Sequence, residues 1–162
     1  MRNSTLTLLI ITAMVTLGAC KSKKSDEQLI CTAQIQPAFA DFRMVDKISG
    51  QELFFTADPK YPIKNLSLYT TKDKDRKNPI TPQVLGTGVD RYFRVQINNT
   101  VLKDTLIVKI ADTQDDLFIY TIKKEGSPCP QYKLDKAFFN DLEIPANQDK
   151  LIFKKIELIT TN

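Results

Sequence analysis

The chain predicts an all-β protein: a single antiparallel β-sandwich, immunoglobulin-like or transthyretin-like, with about seven to nine strands. Three observations carry this. Apolar residues beyond position 37 recur with period two rather than 3.6, the mark of a strand with one buried face. Turn-forming residues interrupt them every 8 to 14 residues, which is sandwich or barrel spacing. No stretch shows the i, i+3, i+4 apolar stripe of an amphipathic helix.

In order along the chain, Phe39 to Val45 alternates with Phe42 and Met44 on one face. Asp46-Lys47-Ile48-Ser49-Gly50 is a turn, with Gly50 free to take positive φ. Gln51 to Thr56 is expected to return as a strand, broken by Asp58-Pro59 and Tyr61-Pro62. Asn65 to Thr71 follows, then a charged loop from Lys72 to Asn78. Thr81 to Leu85 contains Pro82, so it reads as an edge strand. After the Gly86-Thr87-Gly88 turn, Tyr92 to Asn98 alternates most cleanly, with Phe93, Val95 and Ile97 inward. Thr105 to Ala111 repeats the pattern through Leu106, Val108 and Ile110. Beyond the Asp112 to Asp116 turn, Leu117 to Lys123 is aromatic and β-branched, as a central strand should be. Gly126 to Pro130 is a rigid loop. Tyr132 to Phe139 is the one segment that reads as a short helical turn. Ala137 to Ile144 and Leu151 to Leu158 read as the closing strands.

The first 30 residues obey different rules. Arg2 precedes a 12-residue apolar run, Leu6 to Leu17, and then Gly18-Ala19-Cys20. A spanning helix needs roughly 20 apolar residues, so this run reads as a cleavable leader. Leu17-Gly18-Ala19-Cys20 resembles the lipobox of bacterial lipoproteins. That resemblance implies a diacylglycerol thioether on Cys20, which becomes the new N-terminus. Lipid chains there anchor a protein stably without a spanning helix. Lys21 to Gln28 has no apolar residue and cannot pack a core, so it reads as a tether. The expected organisation is therefore a leader over 1–19, a lipidated tether over 20–30 and a β-sandwich over 31–162. Asp26-Glu27 is similar to the acidic export runs of Bacteroidota surface lipoproteins, but it is short and starts six residues after Cys20. The cell surface and the periplasmic leaflet of the outer membrane both stay open.

Of three cysteines, lipidation of Cys20 leaves Cys31 and Cys129. An even pair in an exported domain reads as a disulfide. It would close a loop of about 99 residues, with an upper stabilisation of roughly 4–5 kcal/mol in the chain-entropy model. Without the leader, the chain holds 22 basic and 19 acidic residues, a net +3. That is no nucleic-acid signature.

Val45-Asp46-Lys47-Ile48-Ser49-Gly50-Gln51-Glu52-Leu53 resembles the opening hairpin of carboxypeptidase regulatory-like domains, which are transthyretin-like sandwiches. Gly88-Val89-Asp90-Arg91-Tyr92-Phe93-Arg94-Val95 is similar to a later strand of the same family, with Arg91 near the place where a glycine is usual. The resemblance implies a sandwich and no catalytic residues.

The chain contains no histidine. Ser-His-Asp and Cys-His triads, H-E-x-x-H zinc sites and histidine bases are therefore excluded. A carboxylate pair remains chemically open, and Asp141 with Glu143 is expected on one strand face, towards solvent. Asp112, Asp115 and Asp116 share one turn. Calcium favours such hard oxygens, but the turn lacks an EF-hand's glycine and distal glutamate. The sequence leaves their metal binding open and calls for no cofactor. Asp104-Thr105-Leu106 matches the short O-glycosylation pattern of Bacteroidota exported proteins. Tyr69 and Tyr92 fall out of phase with the inward residues of their strands and are the candidate ligand-binding residues. The expected function is a non-enzymatic binding or assembly module, held to a membrane at Cys20, with an envelope protein or a glycan as partner and no nucleic acid. The alternative is a small-ligand or glycan binder serving an uptake system.

Overall fold

The computed structural model describes residues 37–126, 129–145 and 150–155. The chain divides into two compact units, residues 1–32 and 33–162, and the described residues all belong to the second. It is all-β, with two sheets packed as a sandwich. Its strands are β1 (Ala38–Asp46), β2 (Leu66–Thr70), β3 (Gln83–Leu85), β4 (Tyr92–Ile97), β5 (Lys103–Ile110), β6 (Asp116–Glu125), β7 (Gln131–Phe139), β8 (Leu142–Ile144) and β9 (Leu151–Lys155). One sheet runs β3-β4-β1-β9 and the other β2-β5-β6-β7-β8. All pairings are antiparallel except β1 with β9.

Period two decides what is buried. Ala38, Ala40, Phe42 and Met44 of β1 face Leu106, Val108 and Ile110 of β5 and Phe118, Tyr120 and Ile122 of β6 across one core. Its centre is aromatic. Phe153 of β9 stacks on Phe42 at 4.5 Å and on Phe139 of β7 at 4.6 Å, and tilts against Phe118 at 4.9 Å. Offset ring pairs add about 0.5–1.5 kcal/mol each to the area they bury. Phe153 therefore joins the sheets through side chains that both sheets supply.

The Asp46 turn forms as its composition predicts. Asp46 Oδ1 accepts from the Ile48 and Ser49 amides and from Ser49 Oγ. These bonds hold the Asp46 carboxyl below its ordinary value. Gly86 has φ +81°, and a Cβ there would lie 2.6 Å from the Asp90 carbonyl oxygen, so no other residue fits this turn.

Four expectations are corrected. Gln51 to Thr56 is no strand: only Glu52 bridges, to Val45. Leu53, Phe54 and Phe55 are all buried, which period two forbids in a strand. The chain bends instead, and Glu52 Oε2 accepts from the Phe54 and Phe55 amides. Tyr132 to Phe139 is strand β7, not a helical turn. A register shift opposite Thr121 and Ile122 leaves Asp135 as an extra residue. The inward positions thus run Tyr132, Leu134, Ala137, Phe139, and the three-residue step at the bulge breaks the alternation. Ala137 to Ile144 is two strands, because Asn140 and Asp141 take positive φ of 48° and 64° in a two-residue turn. Asp141 therefore sits in that turn, and only Glu143 lies on a strand. The last strand is described to Lys155; residues 156–158 lie outside the described residues.

Candidate functional site

Two surfaces gather chemistry. The first is a cleft of about 310 Å³ where the ends of β2 and β4 meet β5 and β6. The alternation of β5 and β6 sends Leu106 and Tyr120 inward to form its apolar floor, with Ile80 and Ile97 beside them. Its polar groups sit at or beside strand ends: Thr70 closes β2, Gln96 is the next-to-last residue of β4 and Asp104 the second of β5. Asn98 follows β4: its amide donates to Tyr120 Oη at 2.9 Å and its Nδ2 donates to Asp104 Oδ2 at 3.0 Å. Asp104 Oδ1 accepts from the Thr105 amide at 2.8 Å. Thr70, Thr71, Lys72 and Gln96 complete the walls.

Tyr120 is fully buried, and burial pushes its hydroxyl up to about 12, the Asn98 amide opposing and the Asp104 charge adding to the rise. It uses a lone pair on Asn98; its proton has no acceptor among the described residues. An acid raised above its unfolded value of about 10 stabilises the fold fully below pH 10, and that contribution is lost as pH climbs from about 10 to about 12. Alkaline titration followed by tyrosinate absorbance is therefore expected to show one of the five tyrosines ionising last, together with unfolding. A Tyr120→Phe variant would lack that last step; an unchanged titration would refute the assignment.

The second surface is the outer face of the four-stranded sheet. Arg94 forms a bidentate pair with Asp41 across β4 and β1, at 2.7 and 2.6 Å. This raises the guanidinium further. Arg94 also covers the Phe39 ring at 5.4 Å and Tyr92 at 6.0 Å, while Lys150 lies 4.8 Å from Tyr92. Phe39 remains 42% exposed. Aromatic rings interleaved with Arg are the side chains that anchor interfaces.

The structure separates the two candidate tyrosines. Tyr92 is half-buried in this cation-lined face. Tyr69 is half-buried on β2, in the other sheet. Both alternate with inward residues, so they face opposite sides of the sandwich and cannot share a ligand.

The acidic turn also disperses. Asp116 opens β6 and is buried: Oδ2 meets Lys155 Nζ at 2.5 Å and Oδ1 accepts from Asn140 Nδ2 at 2.7 Å. Lys155 Nζ also donates to the Gln114 carbonyl at 3.2 Å. Asp115 forms a bidentate pair with Arg76 and lies 3.6 Å from Lys109, while Asp112 is exposed. Among the described residues no group of three or more Asp, Glu, Cys or His is placed to hold a metal ion. Arg76 thereby ties the charged 72–77 loop to this turn. Thr105 of the Asp104-Thr105-Leu106 pattern is half-buried within β5. Cys129 is exposed in the loop between β6 and β7; Cys20 and Cys31 lie outside the described residues.

The cleft was not legible in the sequence. Asn98, Asp104 and Tyr120 are 22 residues apart at most and match no motif. The available signal was that Asn98-Asn99 and Asp104 lie at the two ends of one short connection, the one that carries the chain from β4 in one sheet to β5 in the other. Compared with known proteins, the chain matches no family model, no characterised protein and no solved structure.

Proposed function

We propose that this chain is a lipid-anchored protein of the bacterial cell envelope, held to the outer membrane at Cys20, and that its sandwich is a non-catalytic binding or assembly module. The observation that carries the anchor is Leu17-Gly18-Ala19-Cys20 at the end of a 12-residue apolar run, followed by a tether with no apolar residue. No helix among the described residues is long and apolar enough to cross a membrane. A disulfide between Cys31 and Cys129 belongs to the same proposal, as the pairing left once Cys20 carries lipid.

The module reading is supported by the absence of histidine from the chain and by the placement of the acids. Asp116, Asp115 and Asp41 are each matched to a cation, Lys155, Arg76 and Arg94, in three separate places rather than gathered in one cleft. The face bearing Phe39, Tyr92 and Arg94 is the surface offered to a partner.

The test is to express the full chain and its Cys20→Ala variant in a bacterium, fractionate the cells and measure intact masses with and without reductant. The expected result is a membrane-bound species beginning at Cys20 with added lipid, gaining two hydrogens on reduction. The variant should leave the detergent phase. A mass beginning at Met1, or a Cys20→Ala protein that partitions like the parent, overturns the anchor.

A further inference from the structure

We propose that the outer face of the four-stranded sheet lies on the anionic headgroups of the membrane that carries the anchor, drawn there by Arg43, Lys150 and Lys154. This rests on the anchor in the proposed function and names the partner of its cation-lined face.

Register builds the face. Phe42 and Met44 of β1, Phe93 and Val95 of β4, and Phe153 of β9 point into the core, so the residues between them point out. Arg43 pairs with Ile152 and Val45 with Lys154. Tyr92 follows the Phe93–Phe42 pair and so neighbours Arg43. Lys150 leads into β9, and its Nζ lies 4.8 Å from the centre of the Tyr92 ring. Lys154 is exposed, and Arg43, Tyr92 and Lys150 are half-buried.

Charge selects the partner. Arg43, Arg94, Lys150 and Lys154 stand on this face against one acid, Asp41. Both oxygens of Asp41 bond Arg94. Among the described residues, the other three cations have no carboxylate within ion-pair reach, and Arg43 Nε has no acceptor. On the five-stranded sheet, by contrast, Lys109 meets Asp115, and Lys123 and Lys133 meet Glu125. Attraction to a charged surface acts across about 8 Å at physiological salt, so half-buried Arg43 and Lys150 add to exposed Lys154. Phe39, 42% exposed, is the first outward residue of β1. Aromatic rings beside Arg and Lys are what proteins place at a membrane–water interface.

The chain itself favours lipid over an acidic protein. Seventeen residues, 21–37, separate Cys20 from Ala38, a reach of roughly 20–25 Å for a flexible coil. An anchored domain therefore meets the headgroups at a high effective concentration, which a freely diffusing partner lacks. Lys21, Lys23 and Lys24 of the tether carry the same sign as the face.

The experiment is ¹H–¹⁵N NMR of the full chain, extracted with its lipid, in nanodiscs that carry a nitroxide lipid. One set of discs is phosphatidylcholine; the other adds phosphatidylglycerol to about 30%, which supplies the negative surface. Broadening marks the amides that lie against headgroups. In anionic discs the amides of Phe39, Arg43 and Tyr92 should broaden more than those of Tyr69, Ile107 and Leu117 on the other sheet. In neutral discs the two groups should broaden alike. Lys150→Gln with Lys154→Gln removes two charges from outside the core. It should lower the ratio of docked to free domain about thirtyfold, about fivefold for each ammonium. Three outcomes overturn the proposal: anionic discs do not favour the first group; the preference ignores lipid charge; or the double variant keeps it. If hexaglutamate shifts these amides and anionic discs leave them sharp, the face belongs to an acidic protein and the membrane reading falls. The intact mass of the same sample reports lipid on Cys20, so anchoring and docking fail separately.

Discussion

Lys155→Met should destabilise the sandwich by about 3–5 kcal/mol, the cost of removing one partner from a buried ion pair. Lys155 is 1% exposed and Asp116 7%. Without the ammonium, Asp116 keeps, among the described residues, only the Asn140 amide as a side-chain partner for its charge. The loss is a large share of the ~5–15 kcal/mol that holds a typical domain folded. Chemical denaturation followed by circular dichroism measures it. The paired substitution Lys155→Met with Asp116→Leu should recover most of the loss, because replacing both charges by apolar groups removes the desolvation penalty along with the attraction. A single variant as stable as the parent would mean that water reaches Asp116 and that the pair does not hold β9 to β6.

Phe153→Ala should cost a similar ~3–5 kcal/mol, the usual range for emptying an aromatic core site. Its ring is fully buried and has stacked faces on both sides, Phe42 and Phe139. Those neighbours belong to different sheets, so neither can move into the space without leaving its own sheet. The cavity should persist rather than collapse, which puts the cost towards the upper end. Phe153→Leu keeps much of the volume and loses the stacking, so it should lie clearly between the parent and Phe153→Ala. Thermal melts of the three proteins rank them; equal midpoints for Leu and Ala would show that stacking rather than volume dominates.

The fold was largely legible because alternation is a local signal. The inward sets of β4 and β5 (Phe93, Val95, Ile97 and Leu106, Val108, Ile110) stood out without reference to any other strand, and the structure buries all six. Legibility failed where one local event changed the phase. The Asp135 bulge made β7 look aperiodic, and the Asn140-Asp141 turn lacked the glycine that usually marks a two-residue hairpin. Leu53-Phe54-Phe55 looked like a strand because the sequence does not show that Glu52 folds back on the amides ahead of it. The site was the least legible part. Asn98, Asp104 and Tyr120 converge only once β4, β5 and β6 are assigned to two different sheets. The same holds for Asp116: its turn neighbours suggested a shared ion, while its actual partner, Lys155, lies 39 residues away.

The parallel pairing of β1 with β9, from Phe42 opposite Leu151 to Asp46 opposite Lys155, bears on how the domain responds to tension. A pull that enters at the start of β1, on the side of the proposed tether, and leaves through the end of β9 runs along both strands. Their evenly spaced hydrogen bonds then share the load in shear and must give way together, instead of opening one at a time from an end. The antiparallel hairpin of β7 and β8 has the opposite geometry, and a load across its two free ends would peel it bond by bond. A domain held at its tether and pulled from the end of β9 would thus carry force through the strand pair best arranged to resist it.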